Sequence, residues 1–171
     1  MECNVRGLVF LINIMAVTVY LAVTAIEDGR SCEVTRWKHL IGFVPAVSSF
    51  VINVKKHSFM DMGIVLAFAI LFVVIGYAGI YGVADGFVFA NLSLLFGGIG
   101  GTVGIGAVIL IAVIAAFSAF FCHIVKCIMQ KKKIFQNAAG AFIPHILFGY
   151  VVLTLGLIAY GFFVYFVYNY D

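Results

Sequence analysis

The sequence predicts an all-α protein: a polytopic bundle of about six transmembrane helices, forming one integral-membrane domain over residues 1–171. Three observations carry this expectation. Hydrophobic residues make up 65% of the chain and charged residues 10%, against about 45–50% and about 25% in soluble domains. The mean hydropathy is +1.20. The charges gather in short clusters between apolar stretches. At roughly 20 residues per span, 171 residues then cross a bilayer about six times, with no length left for a separate soluble domain.

The first apolar stretch, Leu8 to Ile26, is long for a signal-peptide h-region and has neither a basic n-region nor a small-x-small cleavage site, so it reads as a retained helix. It is expected to end in Glu27-Asp28-Gly29-Arg30, followed by a polar loop through Lys38-His39. The second span, Leu40 to Val54, is short and holds Pro45, a residue tolerated in membrane helices when neighbours satisfy the freed carbonyl. Phe59 to Tyr81 forms the third. Gly82 to Gly86 reads as a turn or helix start, and Phe87 to Phe96 as a fourth span that must begin inside the bilayer or thin it locally. Gly97-Gly98-Ile99-Gly100-Gly101 reads as a flexible connection, with the surrounding glycines also suiting close helix packing or a hinge. Thr102 to Val125 and Ala141 to Tyr168 complete the set, the last beginning near Pro144, and its tyrosines Tyr165, Tyr168 and Tyr170 suit an interfacial aromatic belt.

Basic residues set the orientation of such a bundle. With the N-terminus outside, the inner loops hold Arg30, Arg36, Lys38, Lys126, Lys131, Lys132 and Lys133, and the outer side holds Arg6, Lys55 and Lys56. The expectation is N-out and C-out. It places Asp28, at the end of span one, and Asp85, at the start of span four, on the same cytoplasmic face.

Asp85 stands in Gly82-Val83-Ala84-Asp85-Gly86, among residues too small to shield it. A carboxylate at membrane depth is costly and faces a cavity or a polar partner. The acids able to join it are Glu27 and Asp28. Adjacent helical residues point about 100° apart, so only one of them can face Asp85, and the spacing leaves either possible. Two carboxylates at close range share a proton and can activate water for attack on an amide. The plainer alternative is a set of interfacial charges or helix caps. Arg30, Arg36 and Lys38 read as positive-inside anchors or as a substrate-facing patch, with Arg30 the first candidate for the patch, and Lys131 to Lys133 read as anchors. His145, after Pro144, faces either the site or the interface.

Other chemistries find little support. Cys3, Cys32, Cys122 and Cys127 contain no C-x-x-C pair, and read as small apolar residues. His39, His57 and His123 are scattered. The glycine-rich stretch has no nucleotide-binding context. No metal, cofactor or nucleic-acid partner is expected.

The two aspartate stretches and the start of span six together resemble the prepilin peptidase family of membrane aspartyl proteases. Asp28-Gly29-Arg30-Ser31-Cys32-Glu33-Val34 is similar to the family's first motif, with Thr35-Arg36 in place of its Pro-Asn and Trp37 matching the aromatic that follows. Gly82-Val83-Ala84-Asp85 is similar to the looser form of the second motif, with Phe87 where many members carry lysine. Ala141-Phe142-Ile143-Pro144-His145-Ile146-Leu147-Phe148-Gly149 resembles the family's Pro-Phe-rich run near the last helix.

The resemblance implies Asp28 and Asp85 as the catalytic pair, selecting Asp28 over Glu27. Arg30, Gly82, Gly86 and Pro144 become supporting or substrate-binding residues, the glycines by letting a substrate backbone approach. It implies a cell-membrane endopeptidase of a prokaryote, with its site facing the cytoplasm. The partner would be a type IV prepilin or pseudopilin precursor, from which a short basic leader is removed. Larger members carry a cysteine-paired insert and also methylate the product. This chain lacks that insert and is similar to the short peptidase-only forms of tight-adherence pili, so methylation is not expected. The alternative is a small transporter or channel using Asp85 as an ion or proton site. A third is a non-enzymatic membrane subunit.

Overall fold

The computed structural model describes the backbone of residues 2–130 and 140–169, and side chains at 8–9, 11–130 and 140–160. The expectations for Cys3, Arg6, Lys131, Lys132, Lys133, Tyr165, Tyr168 and Tyr170 concern side chains outside the described residues. The described residues form α1 (Glu2–Ser31), α2 (Lys38–Asn53), α3 (Phe59–Tyr77), α4 (Val83–Gly100), α5 (Thr102–Gln130) and α6 (Ile143–Asn169), with a 3-10 turn at Val54–Lys56. None of them is in a strand.

Helices α1, α3, α4, α5 and α6 each hold a stretch long and apolar enough to cross a membrane. The expected second span is α2, whose 16 residues reach about 24 Å at 1.5 Å per residue, less than the roughly 30 Å hydrocarbon core. The protein is thus an all-α polytopic membrane bundle.

Helix α4 is its axis. Some 72% of it is buried, against 22% of the apolar spans of α3, α5 and the described part of α6, so it is the most enclosed of these spans. It packs on α2, α3 and α5, while α1 packs on α2 and α6 and α6 on α5. Leu92, Leu95, Val88 and Phe89 from α4 meet Val65, Val17, Leu21, Val108, Ile111 and Ile146 in one core.

Two of the corrected boundaries belong to α4 and α1. Gly97 to Gly100 are helical, not a flexible connection. A Cβ at Gly97 would lie 2.5 Å from Val65, and one at Gly98 2.7 Å from the Phe50 backbone. The missing side chains let neighbouring helices approach α4, and that packing offsets the roughly 1 kcal/mol helix cost of each glycine relative to alanine. The chain turns only at Gly101, where φ is +57°, a left-handed conformation that glycine adopts without strain. At the other boundary, α1 runs on through Ser31 rather than stopping at Ile26. Ser31 Oγ donates to Glu27 O at 3.0 Å. Cys32, at φ +55°, donates its N–H to Asp28 O at 2.8 Å and closes the helix in the position usually held by glycine. Asp28 is therefore a helical residue whose direction is set by α1.

Helix α3 stops at Tyr77, four residues short of the expected Tyr81. Gly79, at φ +78°, turns the chain into α4. Tyr81 anchors this connection by donating its hydroxyl to Phe72 O at 2.6 Å. Burial and the neighbouring Asp85 carboxylate push the phenol up to about 12.

Candidate functional site

Asp28 lies on the inner face of α1, in line with Val17, Leu21 and Thr24, at the spacing of one buried helical stripe. It is 6% exposed. Its Oδ2 accepts the N–H of Ile143 at 2.9 Å. Ile143 opens α6, so its N–H is one of the helix's orphan donors. Asp28 thus caps α6 from another helix, where an anion meets the positive end of the helix dipole.

Asp85 is the third residue of α4 and is 7% exposed. Its Oδ2 accepts the N–H of Gly82, the N-cap residue, at 3.1 Å, the backward reach of a capping-box acid. Each carboxylate therefore sits at a helix N-terminus with a protein donor on one of its two oxygens.

Both border one cavity of about 660 Å³. The α1–α2 loop walls it with Cys32, Glu33, Val34 and Arg36, and the start of α4 with Gly82, Val83 and Ala84. Gly140 and Phe142 close it ahead of α6. The cavity juxtaposes two buried carboxylates with apolar walls, a third acid and one guanidinium. Both aspartates therefore face the same solvent-accessible space.

Glu27 points elsewhere. Its carboxylate accepts Thr35 Oγ1 at 2.7 Å and Thr35 N–H at 3.4 Å, and it pairs with Lys38 at 2.9 Å. It fastens the loop that walls the cavity, so of the two adjacent acids only Asp28 faces inward.

The expected supporting residues divide. Gly82 borders the cavity and donates to Asp85. Arg30 is exposed and does not border the cavity; Arg36, expected to be an anchor, takes that place. Gly86 serves packing instead of substrate approach, since a Cβ there would meet Phe72 O of α3 at 2.8 Å. Pro144 lies against Gly29 of α1, 3.9 Å from the place of a Cβ, in the first turn of α6 where proline costs no hydrogen bond. His145 shares a 2.9 Å hydrogen bond with Ser118 Oγ of α5. Arg36, Glu33 and Phe142 enter the site through loop geometry, for which residue spacing carries no signal. Among the described residues, no three His, Cys, Asp or Glu side chains are grouped as metal ligands would be.

No family model, curated protein or solved structure matches the chain.

Proposed function

We propose that the protein is a membrane-embedded aspartyl endopeptidase of the prepilin-peptidase kind, acting at the cytoplasmic face of a prokaryotic cell membrane. The observation that carries this reading is the shared cavity, onto which α1 and α4 each present one buried aspartate. In the proposed reaction, one carboxyl group holds a proton and donates it toward the scissile carbonyl oxygen. The other, as carboxylate, takes a proton from a water that attacks the carbonyl carbon. The tetrahedral intermediate collapses with cleavage of the C–N bond, and the proton passes to the leaving amine. The substrate is a prepilin-like or pseudopilin precursor, cut where its apolar helix leaves the bilayer. Product methylation is not part of the proposed activity.

The distribution of basic residues supports the N-out, C-out orientation. The position of both acids at one end of the bundle favours peptidase chemistry over an ion or proton path through Asp85.

Cleavage of a co-expressed prepilin-like precursor tests the reading. Asp28→Asn and Asp85→Asn are each expected to lower the cleavage rate by about 10²–10⁴-fold, the range for a positioned acid or base. Undiminished cleavage by both variants sinks the mechanism. Ion flux through proteoliposomes that Asp85→Asn abolishes, without any cleavage, would establish the transport reading in its place.

A further inference from the structure

Phenylalanine rings lead from the depth of the bundle to the carboxylate cavity. On α3, Phe68 and Phe72 are one turn apart with ring centroids 6.4 Å from each other. Phe72 stacks on Phe89 of α4 at 5.1 Å and 26°. Phe89 meets Phe142 at 6.5 Å, and Phe142 itself borders the cavity. Phe89 is buried as the floor of this series, whereas Phe68, Phe72 and Phe142 are only partly buried against the core and keep a face outside it. Helix α3 packs chiefly on α4 and more lightly on α5. Phe68 stands nine residues before the end of α3 at Tyr77, about 14 Å deep at 1.5 Å per residue, close to half of a roughly 30 Å hydrocarbon core.

We infer that this ladder of rings is the docking surface for the apolar helix of the substrate, holding it so that its cavity-side end enters between Asp28 and Asp85. The inference rests on the peptidase reading and adds the place where the substrate binds. Two features select a transmembrane peptide as the occupant. The ladder is continuous with the cavity through Phe142, so a helix laid along it delivers its own terminus to the carboxylates. The cavity also carries Glu33 beside the two aspartates against the single Arg36. This acidic surplus complements basic residues immediately before an apolar segment. Aromatic side chains give large contact areas at small cost in conformational entropy, and buried aromatic anchors dominate many interfaces. The strongly exposed Phe117 and Phe121 of α5 do not border the cavity and serve as the comparison surface.

Photo-crosslinking tests the inference on the full chain in membranes. A benzoylphenylalanine replaces Phe68, or Phe117 as the comparison, in an Asp85→Asn background. The probe is a type IV prepilin with a basic leader and its apolar helix, left uncleaved by that background. The expected result is an adduct between position 68 and the prepilin's apolar helix, at least about tenfold stronger than from position 117, the contrast of a contact worth 1.4 kcal/mol. Adducts to lipid alone at position 68, or equal prepilin yields from both positions, overturn the docking surface. Cleavage of the same prepilin by the unsubstituted protein is scored separately. Cleavage without the position-68 adduct overturns the docking surface alone, and the adduct without cleavage overturns the peptidase reading on which it rests. In an active background, Phe68→Ala is expected to raise KM for the prepilin about tenfold with a smaller change in kcat, because a ring remote from the acids contributes to binding.

Discussion

Glu27 and Asp28 are chemically almost the same residue, one position apart, and do opposite work. Asp28 is turned inward, buried, and bonded to the first N–H of α6. Glu27 is turned toward the loop, where it holds Thr35 and Lys38. The roughly 100° between successive helical side chains produces the division. It leads to a contrast in mutants. Glu27→Gln removes a partly exposed ion pair of small worth and is expected to keep cleavage within about tenfold of the unsubstituted protein, through a looser Thr35 loop. Asp28→Asn in the same assay is expected to fall by at least about 10²-fold. Equal losses in the two variants would show that the acid at 28 has no special role. The two arginines make the same point: Arg30, expected near the acids, is exposed and away from the cavity, whereas Arg36 borders it.

At the scale of elements, α4 determines the arrangement of the rest. Its N-terminus carries Asp85, and the glycines of its C-terminal half let α2 and α3 approach closely. A Cβ at Gly98 would lie 2.7 Å from Phe50 Cα and N, backbone atoms that cannot rotate aside. Gly98→Ala is therefore expected to destabilise the protein by about 1–3 kcal/mol, as overpacking does, measured by denaturant unfolding in detergent. Gly106 on α5 has open space around its Cβ position. Gly106→Ala is expected to be neutral or to stabilise by up to about 1 kcal/mol through helix propensity. The reverse order of the two variants would refute close packing as the reason for the α4 glycines. Hydropathy alone reads these glycines as a break, because the sequence records the lost side chain but not the neighbouring helix that needs its space.

For the whole molecule, the cavity and the Ser58–Asp61–Thr102 cluster lie at opposite ends of the bundle. Asp61 accepts Ser58 Oγ at 2.8 Å and Thr102 Oγ1 at 3.2 Å, tying the start of α3 to the start of α5, while the site is built from the far end of α1 and the near end of α4. Orientation is open to direct measurement. Cys32 is exposed at the cavity end and is expected to react with a membrane-impermeant maleimide only from the cytoplasmic side. A cysteine placed at Ser58 is expected to react only from outside. Labelling of Cys32 from outside would invert the proposed topology and place the chemistry on the other face of the membrane.

Composition and hydropathy determined that this chain is a multi-pass helical membrane protein, because a bilayer accepts few other ways of satisfying backbone hydrogen bonds and the apolar runs are long enough to count. They also marked Asp85 as an acid in small surroundings and narrowed its partner to two adjacent residues. The tertiary structure decided which of the two faces inward, that Arg36 rather than Arg30 joins the cavity, and that the glycine run is helix packed against α2 and α3. Each of these depends on angular position around a helix and on the distance to a neighbouring one. Those quantities arise only when the five other helices of the described residues compete for contact with the same buried α4.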